Sequence, residues 1–243
     1  MSPVVDGVTI RIPREKQGQT GLGQGGWGCY EFQRAIGEPV TVALRSGLPL
    51  DVELVVVHEG DRWLLIDPAW PDQVILEATR WVADYPATEP VSIDQAEAAR
   101  AGFPLADEEH PAPHCLSCGI GERTLGVHAG PLDDGRWASP LRFPDWSLVD
   151  DRRVDDGLVW MAMDCACGWY TTHSGSLEAS GLTVQFAVDI VEPLDPNSEY
   201  ALVAWHGDHA PDWDGRKRGA AAAVFDASGG LVAQSRSFWV RPR

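Results

Sequence analysis

The sequence has little positive charge and no long apolar run. Across 243 residues, 19 Lys and Arg stand against 36 Asp and Glu, which gives a formal net charge of −17. Binding to phosphate backbones and to anionic lipid depends on clustered cations, so this balance excludes a general affinity for either surface. No stretch offers the roughly 20 consecutive apolar residues of a membrane-spanning helix. We expect neither nucleic acid nor a membrane as a partner.

A secretory signal and a disulfide framework are also missing. The N-terminal stretch "MSPVVDGVTIRIPREKQGQ" has neither an apolar core nor a small-residue cleavage site. The five Cys are an odd number, which favours reduced thiols over paired disulfides. The sequence therefore predicts a cytoplasmic protein, and its 44% apolar and 23% charged residues are typical of a folded globular chain.

The two halves of the chain repeat one order of elements. Each half has an apolar helix, near Gly26–Ile36 and near Gly157–Tyr170, and then a strand, a Pro-Leu-Asp turn and three more strands. Alternating β-branched and aromatic residues between Gly and Asp turns favour strands over helices. The predicted strands are residues 40–45, 52–58, 62–66 and 74–82, and then 182–191, 199–207, 219–225 and 231–240.

This repeat predicts two similar halves and a short linker. The N-terminal half spans residues 1–108 and the C-terminal half spans residues 127–243. The linker, residues 109–126, is rich in Pro and Gly and contains Cys115-x-x-Cys118. We expect one central helix against an antiparallel sheet in each half, with both sheets joined into one, because an unpaired edge strand would otherwise stay exposed.

The order of these features resembles the tandem, or double, hotdog proteins. The stretch "DDGLVWMAMDCA" resembles the helix of phenylacetyl-CoA-type hotdog thioesterases, and "PREKQGQTGLGQGGWGC" resembles the Gly-Gly helix start of tandem acyl-CoA thioesterase-like proteins. The resemblance extends from about Ile10 to Val240. It implies an α+β fold in which two central helices are each wrapped by a curved antiparallel sheet.

The resemblance also implies a function. The chain would hydrolyse or bind acyl-CoA or acyl-carrier thioesters in the groove between its halves. Coenzyme A would enter as part of the substrate, no other cofactor is implied, and two chains could pair as a homodimer. The alternatives are a non-catalytic protein that binds an acyl group or another small ligand in the same groove, and a zinc-stabilised interaction module.

The resemblance assigns the chemistry to an acid and to helix-start amides. Asp164 matches the family's acid, which acts as nucleophile or as general base for water. The substrate-binding candidates are the helix starts at Asp156 and Gly157 and at Gly25 and Gly26, where backbone N–H groups and the helix dipole would polarise the thioester carbonyl.

Each half departs from the family pattern in a different way. Asp155 and Asp156 stand where the family has His and Gly, whereas Gln33 stands at the position equivalent to Asp164. The alternative to a catalytic Asp164 is therefore a structural Asp164 whose oxygens are hydrogen-bonded within the protein. We expect Asp164 to face the groove, because an unpartnered carboxylate inside an apolar core costs several kcal/mol.

A basic cluster and a Cys cluster remain. Arg216, Lys217 and Arg218 predict either a handle for the phosphates of coenzyme A or a charged, solvated strand edge.

Cys115, Cys118 and the pair Cys165-x-Cys167 could hold a structural zinc, with His114 or His173 as substitute ligands. The single residue between Cys165 and Cys167 is tight for a zinc knuckle, so the sequence favours free buried thiols and no metal.

Overall fold

The computed structural model describes residues 4–81, 84–150, 152–173, 181–207 and 217–241, and the side chains of all of these except residues 4–7 and 173. The described α-helices are α1 (Gly25–Ile36), α2 (Ile93–Ala101) and α3 (Asp156–His173). No helix within these ranges combines the length and the apolarity that crossing a membrane requires.

The strands of the N-terminal half are β1 (Val4–Arg11), β2 (Val40–Leu44), β3 (Glu53–Glu59), β4 (Arg62–Ile66) and β5 (Val74–Arg80). Those that follow are β6 (Gly130–Pro131), β7 (Trp137–Leu141), β8 (Leu148–Val149), β9 (Arg153–Val154), β10 (Leu182–Ile190), β11 (Tyr200–Trp205), β12 (Lys217–Phe225) and β13 (Leu231–Val240). Both predicted helices and all eight predicted strands are present with small shifts of their ends.

One antiparallel sheet of eleven strands runs through both halves, in the order β1-β3-β4-β5-β2-β10-β13-β12-β11-β7-β6. The halves meet where β2 pairs with β10, with Val42 opposite Phe186 and Ala43 opposite Gln185. Counted outward from this junction, the order is β2, β5, β4, β3 in the N-terminal half and β10, β13, β12, β11 in the C-terminal half. The two halves therefore repeat one strand order. The expectation that both halves share one sheet is therefore confirmed. β8 and β9 form a separate pair.

Local signals set the limits of α1. Gln24 caps its N-terminus, where the side chain accepts a hydrogen bond from the Trp27 amide. Gly37 ends the helix in the left-handed conformation, with φ 81°, and its amide donates to the Gln33 carbonyl. Glycine is the residue that adopts this conformation without steric cost. The buried side of α1 faces the sheet and α3.

α3 lies at the centre of the core. From Leu158 to Met163 every residue is buried, because the helix packs between the sheet and α1. A helix that is apolar on all sides is stable only when it is enclosed in this way. Trp160 packs against both layers. The centre of its ring lies 6.3 Å from the ring centre of Tyr30 in α1 and 5.7 Å from that of Phe186 in β10.

α2 covers the other face of the sheet. Along β11, Leu202 and Ala204 belong to the main core, whereas Ala201 and Val203 pack in a second apolar cluster with Ala96 and Ala99 of α2. Successive side chains of a strand point to opposite faces, so α2 and α3 lie on opposite sides of this sheet. The sequence repeat did not predict α2, β1 or β7.

The close approach of α1 and α3 leads to a stability prediction. A Cβ atom at Gly157 would lie 2.5 Å from the Trp27 ring and 2.7 Å from the Tyr30 ring. We expect Gly157→Ala to lower the free energy of unfolding by about 1–3 kcal/mol, the usual cost of overpacking a core. Urea unfolding measures this change. Gly121→Ala is the matched control, because nothing lies within 4 Å of its Cβ position. Equal stability of the two variants would contradict the prediction.

Candidate functional site

A pocket of about 390 Å³ lies between the two halves. Its walls come from the loop before α1, the end of β2, the linker, α3 and the start of β10. Apolar side chains dominate, among them Leu22, Leu44, Leu48, Trp169 and Trp239. An apolar pocket with a few polar groups is typical of a site for a small organic ligand. The polar groups include Asp164 and Gln24.

Asp164 is the buried acid of this pocket, with 4% of its surface exposed. Its Oδ2 accepts hydrogen bonds from the Gly26 amide at 3.0 Å and from Gln24 Nε2 at 2.8 Å. Its Oδ1 accepts one from the Thr183 hydroxyl at 2.7 Å. Asp164 belongs to the C-terminal half, whereas Gln24 and Gly26 belong to the N-terminal half. The acid of one half therefore meets the helix start of the other.

Burial sets the protonation behaviour of Asp164. Desolvation raises the pKa of this carboxyl from 3.8 to about 6, while the hydrogen bonds from Thr183, Gly26 and Gln24 oppose the increase by stabilising the charged form. Groups of the described residues occupy three of roughly four lone-pair positions, two on Oδ2 and one on Oδ1. Three hydrogen bonds therefore fix the position of Asp164, and its Oδ1 can accept one more.

Gln24 fixes the geometry between Asp164 and α1. Its Oε1 accepts from the Trp27 amide at 2.8 Å, which leaves Nε2 to donate to the carboxylate. The same Nε2 lies 3.7 Å from the Cys165 sulfur. The two partners determine the orientation of the amide, since the Trp27 N–H only donates and an ionised carboxylate only accepts. Gln24 was absent from the predicted site residues, as was Thr183.

The start of α1 also lies at the pocket. Gly25 lines the pocket, and its backbone N–H has no hydrogen-bond partner among the described residues. The first amides of a helix lack internal acceptors and carry a partial positive charge. Of the predicted glycine pair, the Gly26 amide is thus bonded to Asp164, whereas the Gly25 amide has no partner among the described residues.

The start of α3 is arranged differently. The Gly157 amide donates to Asp155 Oδ1 at 3.0 Å, and the rings of Trp27 and Tyr30 cover Gly157. Asp155 in turn lies 3.8 Å from Lys16 Nζ. Neither Gly157 nor the predicted substrate-binding residue Asp156 belongs to the described lining of the pocket.

Asp156 instead forms an ion pair with Arg153 at 3.7 Å. Gln33, which stands in α1 where α3 has Asp164, accepts a hydrogen bond from the Val40 amide. At the start of α3, the Gly157 amide and the Gln33 side chain are therefore both hydrogen-bonded within the protein.

Of the basic cluster, the structure describes Lys217 and Arg218, whereas Arg216 lies outside the described residues. Lys217 is exposed at the start of β12. Arg218 donates to the Tyr170 hydroxyl at 3.0 Å, and its guanidinium lies 4.6 Å from the centre of the Tyr170 ring. Arg218 thereby stabilises the carboxyl end of α3, and it stands opposite Trp239 of the pocket in the sheet register.

Three of the five Cys converge at the pocket. Cys115 and Cys118 of the linker and Cys165 of α3 all line it, and their sulfur atoms lie within 4.8 Å of one another. Cys167 points elsewhere and is hydrogen-bonded with Ser235 and Ser237 of β13. Of the predicted substitute ligands, His114 is exposed, and the side chain of His173 lies outside the described residues.

Comparison with known proteins supports the fold. No family model matches the sequence, and no curated protein is detectably similar to it. A candidate thioesterase from Novosphingobium aromaticivorans is 14% identical, and the match covers 100% of this chain and 94% of that one with a TM-score of 0.53. A thioesterase superfamily protein is 18% identical over 65% of this chain and 70% of its own, with a TM-score of 0.47. The likeness to the Novosphingobium protein concerns the fold alone, which is of the hotdog type, a mixed α+β fold with a large antiparallel sheet.

Proposed function

We propose that the chain is a tandem hotdog protein that hydrolyses acyl thioesters in the pocket between its halves. One observation carries this proposal: the buried carboxylate of Asp164 lies against the amino end of α1, where the Gly25 amide has no hydrogen-bond partner in the described part of the chain. Thioester hydrolysis needs a base and an oxyanion donor, and here the two groups come from opposite halves of the chain. The apolar wall of the pocket suits an acyl chain.

The reaction would follow from this geometry. The thioester carbonyl accepts from the Gly25 N–H, where the helix dipole stabilises charge that develops on its oxygen. A water held by the free lone pair of Asp164 Oδ1 gives its proton to the carboxylate, and its oxygen bonds to the carbonyl carbon. The carbon–sulfur bond then breaks, and the proton on Asp164 passes to the departing thiolate. The products are a carboxylic acid and a free thiol.

The thiol carrier would extend out of the pocket past Trp239. In the neighbouring strand β12, Arg218 lies opposite Trp239 and Lys217 opposite Val240. These two cations are the proposed contact for the phosphates of coenzyme A. Arg45 is also among the lining residues, and its guanidinium pairs with Glu77 at 3.3 Å. These cations are concentrated in a chain that is otherwise strongly acidic.

The purified chain should release free coenzyme A from at least one member of an acyl-CoA series that runs from acetyl to long-chain and aromatic acyl groups. Mass spectrometry of both products measures turnover without relying on a thiol reagent that would also react with the protein. The matched oxygen esters should react more slowly, because an alkoxide is a poorer leaving group than a thiolate. Absence of turnover across the series would contradict hydrolysis of coenzyme A thioesters.

A second candidate function is acyl or small-ligand binding without chemistry. The observation that favours it is the threefold hydrogen bonding of Asp164, which is also what a structural acid requires. Calorimetric titration distinguishes the two: binding of an acyl-CoA with no product formed would establish the binding protein. Product formation at a rate proportional to enzyme concentration would establish the enzyme.

A further inference from the structure

The three pocket cysteines have the spacing of a thiolate metal site. The sulfur atoms of Cys115 and Cys165 lie 3.9 Å apart, and all three sulfurs lie within 4.8 Å of one another. In a tetrahedral zinc site with bonds of about 2.3 Å, neighbouring sulfurs are about 3.8 Å apart. The pair at 3.9 Å already has this spacing, and the other two pairs would have to close by at most about 1 Å to reach it.

The linker is folded around the Cys pair as a compact turn. The Gly119 amide donates to the Cys115 carbonyl at 2.8 Å, and the Ile120 amide donates to the Pro113 carbonyl at 3.1 Å. A Cβ atom at Gly119 would lie 2.5 Å from the Cys115 carbonyl oxygen, so the turn requires glycine. Backbone amides of Ser117 and Cys118 hydrogen-bond to the Cys115 sulfur. The turn therefore presents two sulfurs in a fixed arrangement.

The third sulfur comes from a different element. Cys165 lies on α3, 50 residues after Cys115, and its side chain is only partly buried. Cys167 on the same helix points to β13, because residues two apart on a helix lie on nearly opposite sides. The convergence of a two-Cys turn on one helical Cys is thus a tertiary arrangement and not a local one.

We propose that Cys115, Cys118 and Cys165 bind one zinc ion per chain, with the fourth coordination position open to the pocket. Thiolates are ligands that zinc prefers, and three protein ligands with one exchangeable position are typical of reactive zinc sites. All three cysteines line the pocket, so an exchangeable ligand reaches the ion from that side. This proposal differs from the free, metal-free thiols that the spacing of Cys165 and Cys167 predicts, and metal binding by the purified protein decides between the two.

The protein contains one plausible competitor for the fourth position. His110 is 93% buried, and its Nε2 has no hydrogen-bond partner among the described residues, while its Nδ1 accepts from the Ala112 amide. Its ring packs against His128 and Trp169. Nε2 is not part of the group in which all ligand atoms lie within 4.8 Å of one another, so we assign the fourth position to an external ligand.

Cobalt substitution tests the site independently of hydrolysis. Reduced protein that has been treated with a chelator should bind one Co²⁺ per chain, with thiolate-to-cobalt charge-transfer bands and the intense d–d bands of a four-coordinate ion. Zinc should displace the cobalt and raise the melting temperature of the wild-type protein. Cys115→Ser, Cys118→Ser and Cys165→Ser should each weaken Co²⁺ binding by at least about 10-fold. The matched control, Cys167→Ser, should keep the spectrum.

Two results would overturn the proposal. The first is wild-type protein that binds no Co²⁺ or Zn²⁺ and shows no thermal shift, which does not depend on whether any variant folds. The second is a spectrum that survives in Cys165→Ser. The open position has its own readout: a small thiol should shift the d–d bands of the wild-type protein. A His110→Gln variant that changes the spectrum as strongly as a Cys variant would show that the protein itself fills this position.

Discussion

Replacing Asp164 with Asn should lower kcat for acyl-thioester hydrolysis by about 10²–10⁴-fold, the range expected when a general base is removed. The fold should survive. The amide oxygen of Asn can accept from Gly26 and Gln24 as Oδ2 does, while its NH₂ group faces the Thr183 hydroxyl, which can also accept a hydrogen bond. The affinity for substrate should change little, because the carbonyl is held by Gly25 and the acyl chain by the apolar wall.

The control for this experiment is Asp189→Asn. Asp189 is exposed on β10, the strand that carries Thr183, and its carboxylate accepts a hydrogen bond from Gln234. The substitution is chemically the same, so kcat should stay within about twofold of the wild type, as expected for a surface change. Steady-state rates measured by product formation decide the outcome. If Asp164→Asn retains wild-type turnover, Asp164 is a structural acid.

Replacing Trp160 with Ala should lower the free energy of unfolding by about 3–5 kcal/mol, the usual cost of removing a large aromatic side chain from a core. Only 2% of this side chain is exposed, and it packs between Tyr30 of α1 and Phe186 of β10. The loss therefore affects both helices and the central strand pair together. For a domain whose total stability is about 5–15 kcal/mol, this is a large fraction.

Trp70→Ala provides the comparison for Trp160→Ala. The Trp70 side chain is 68% exposed, so its removal creates no cavity, and the stability should change by less than about 0.5 kcal/mol. Urea unfolding followed by circular dichroism measures both variants. Two separate transitions in the wild-type protein, with Trp160→Ala affecting one of them, would contradict the idea that the halves share one core.

The repeated part of the fold was predictable from sequence, whereas the added elements were not. The helices and the eight repeated strands have clear apolar periodicity and glycine-containing turns. β7 lacks this periodicity: its sequence is Trp-Ala-Ser-Pro-Leu, and all five residues are buried. A Pro in a short segment argues against a strand, and burial on both faces removes the alternation on which strand prediction depends. α2 buries mainly Ala96 and Ala99, so its apolar stripe is weak.

The candidate site was predictable only in part, for a related reason. Asp164 and the glycines of α1 were identified because their helices resemble those of a known family. Gln24 and Thr183 lie 140 and 19 residues from Asp164 in sequence, and no local pattern connects them to it. The grouping of Cys115, Cys118 and Cys165 could not be predicted from sequence, where Cys165 and Cys167 stand as a pair. On a helix these two side chains diverge, and only the tertiary fold brings Cys165 to the linker.

The aromatic cover over Gly157 has a consequence for stoichiometry. The chain has two helix starts related by its internal repeat, but Trp27 and Tyr30 occupy the space at one of them, and Asp155 already takes the Gly157 amide. A symmetric dimer of single-repeat chains would carry two equivalent sites. This chain should instead saturate with one acyl ligand per polypeptide, and its binding isotherm should show a single class of sites. Any cooperativity would then have to arise between separate chains.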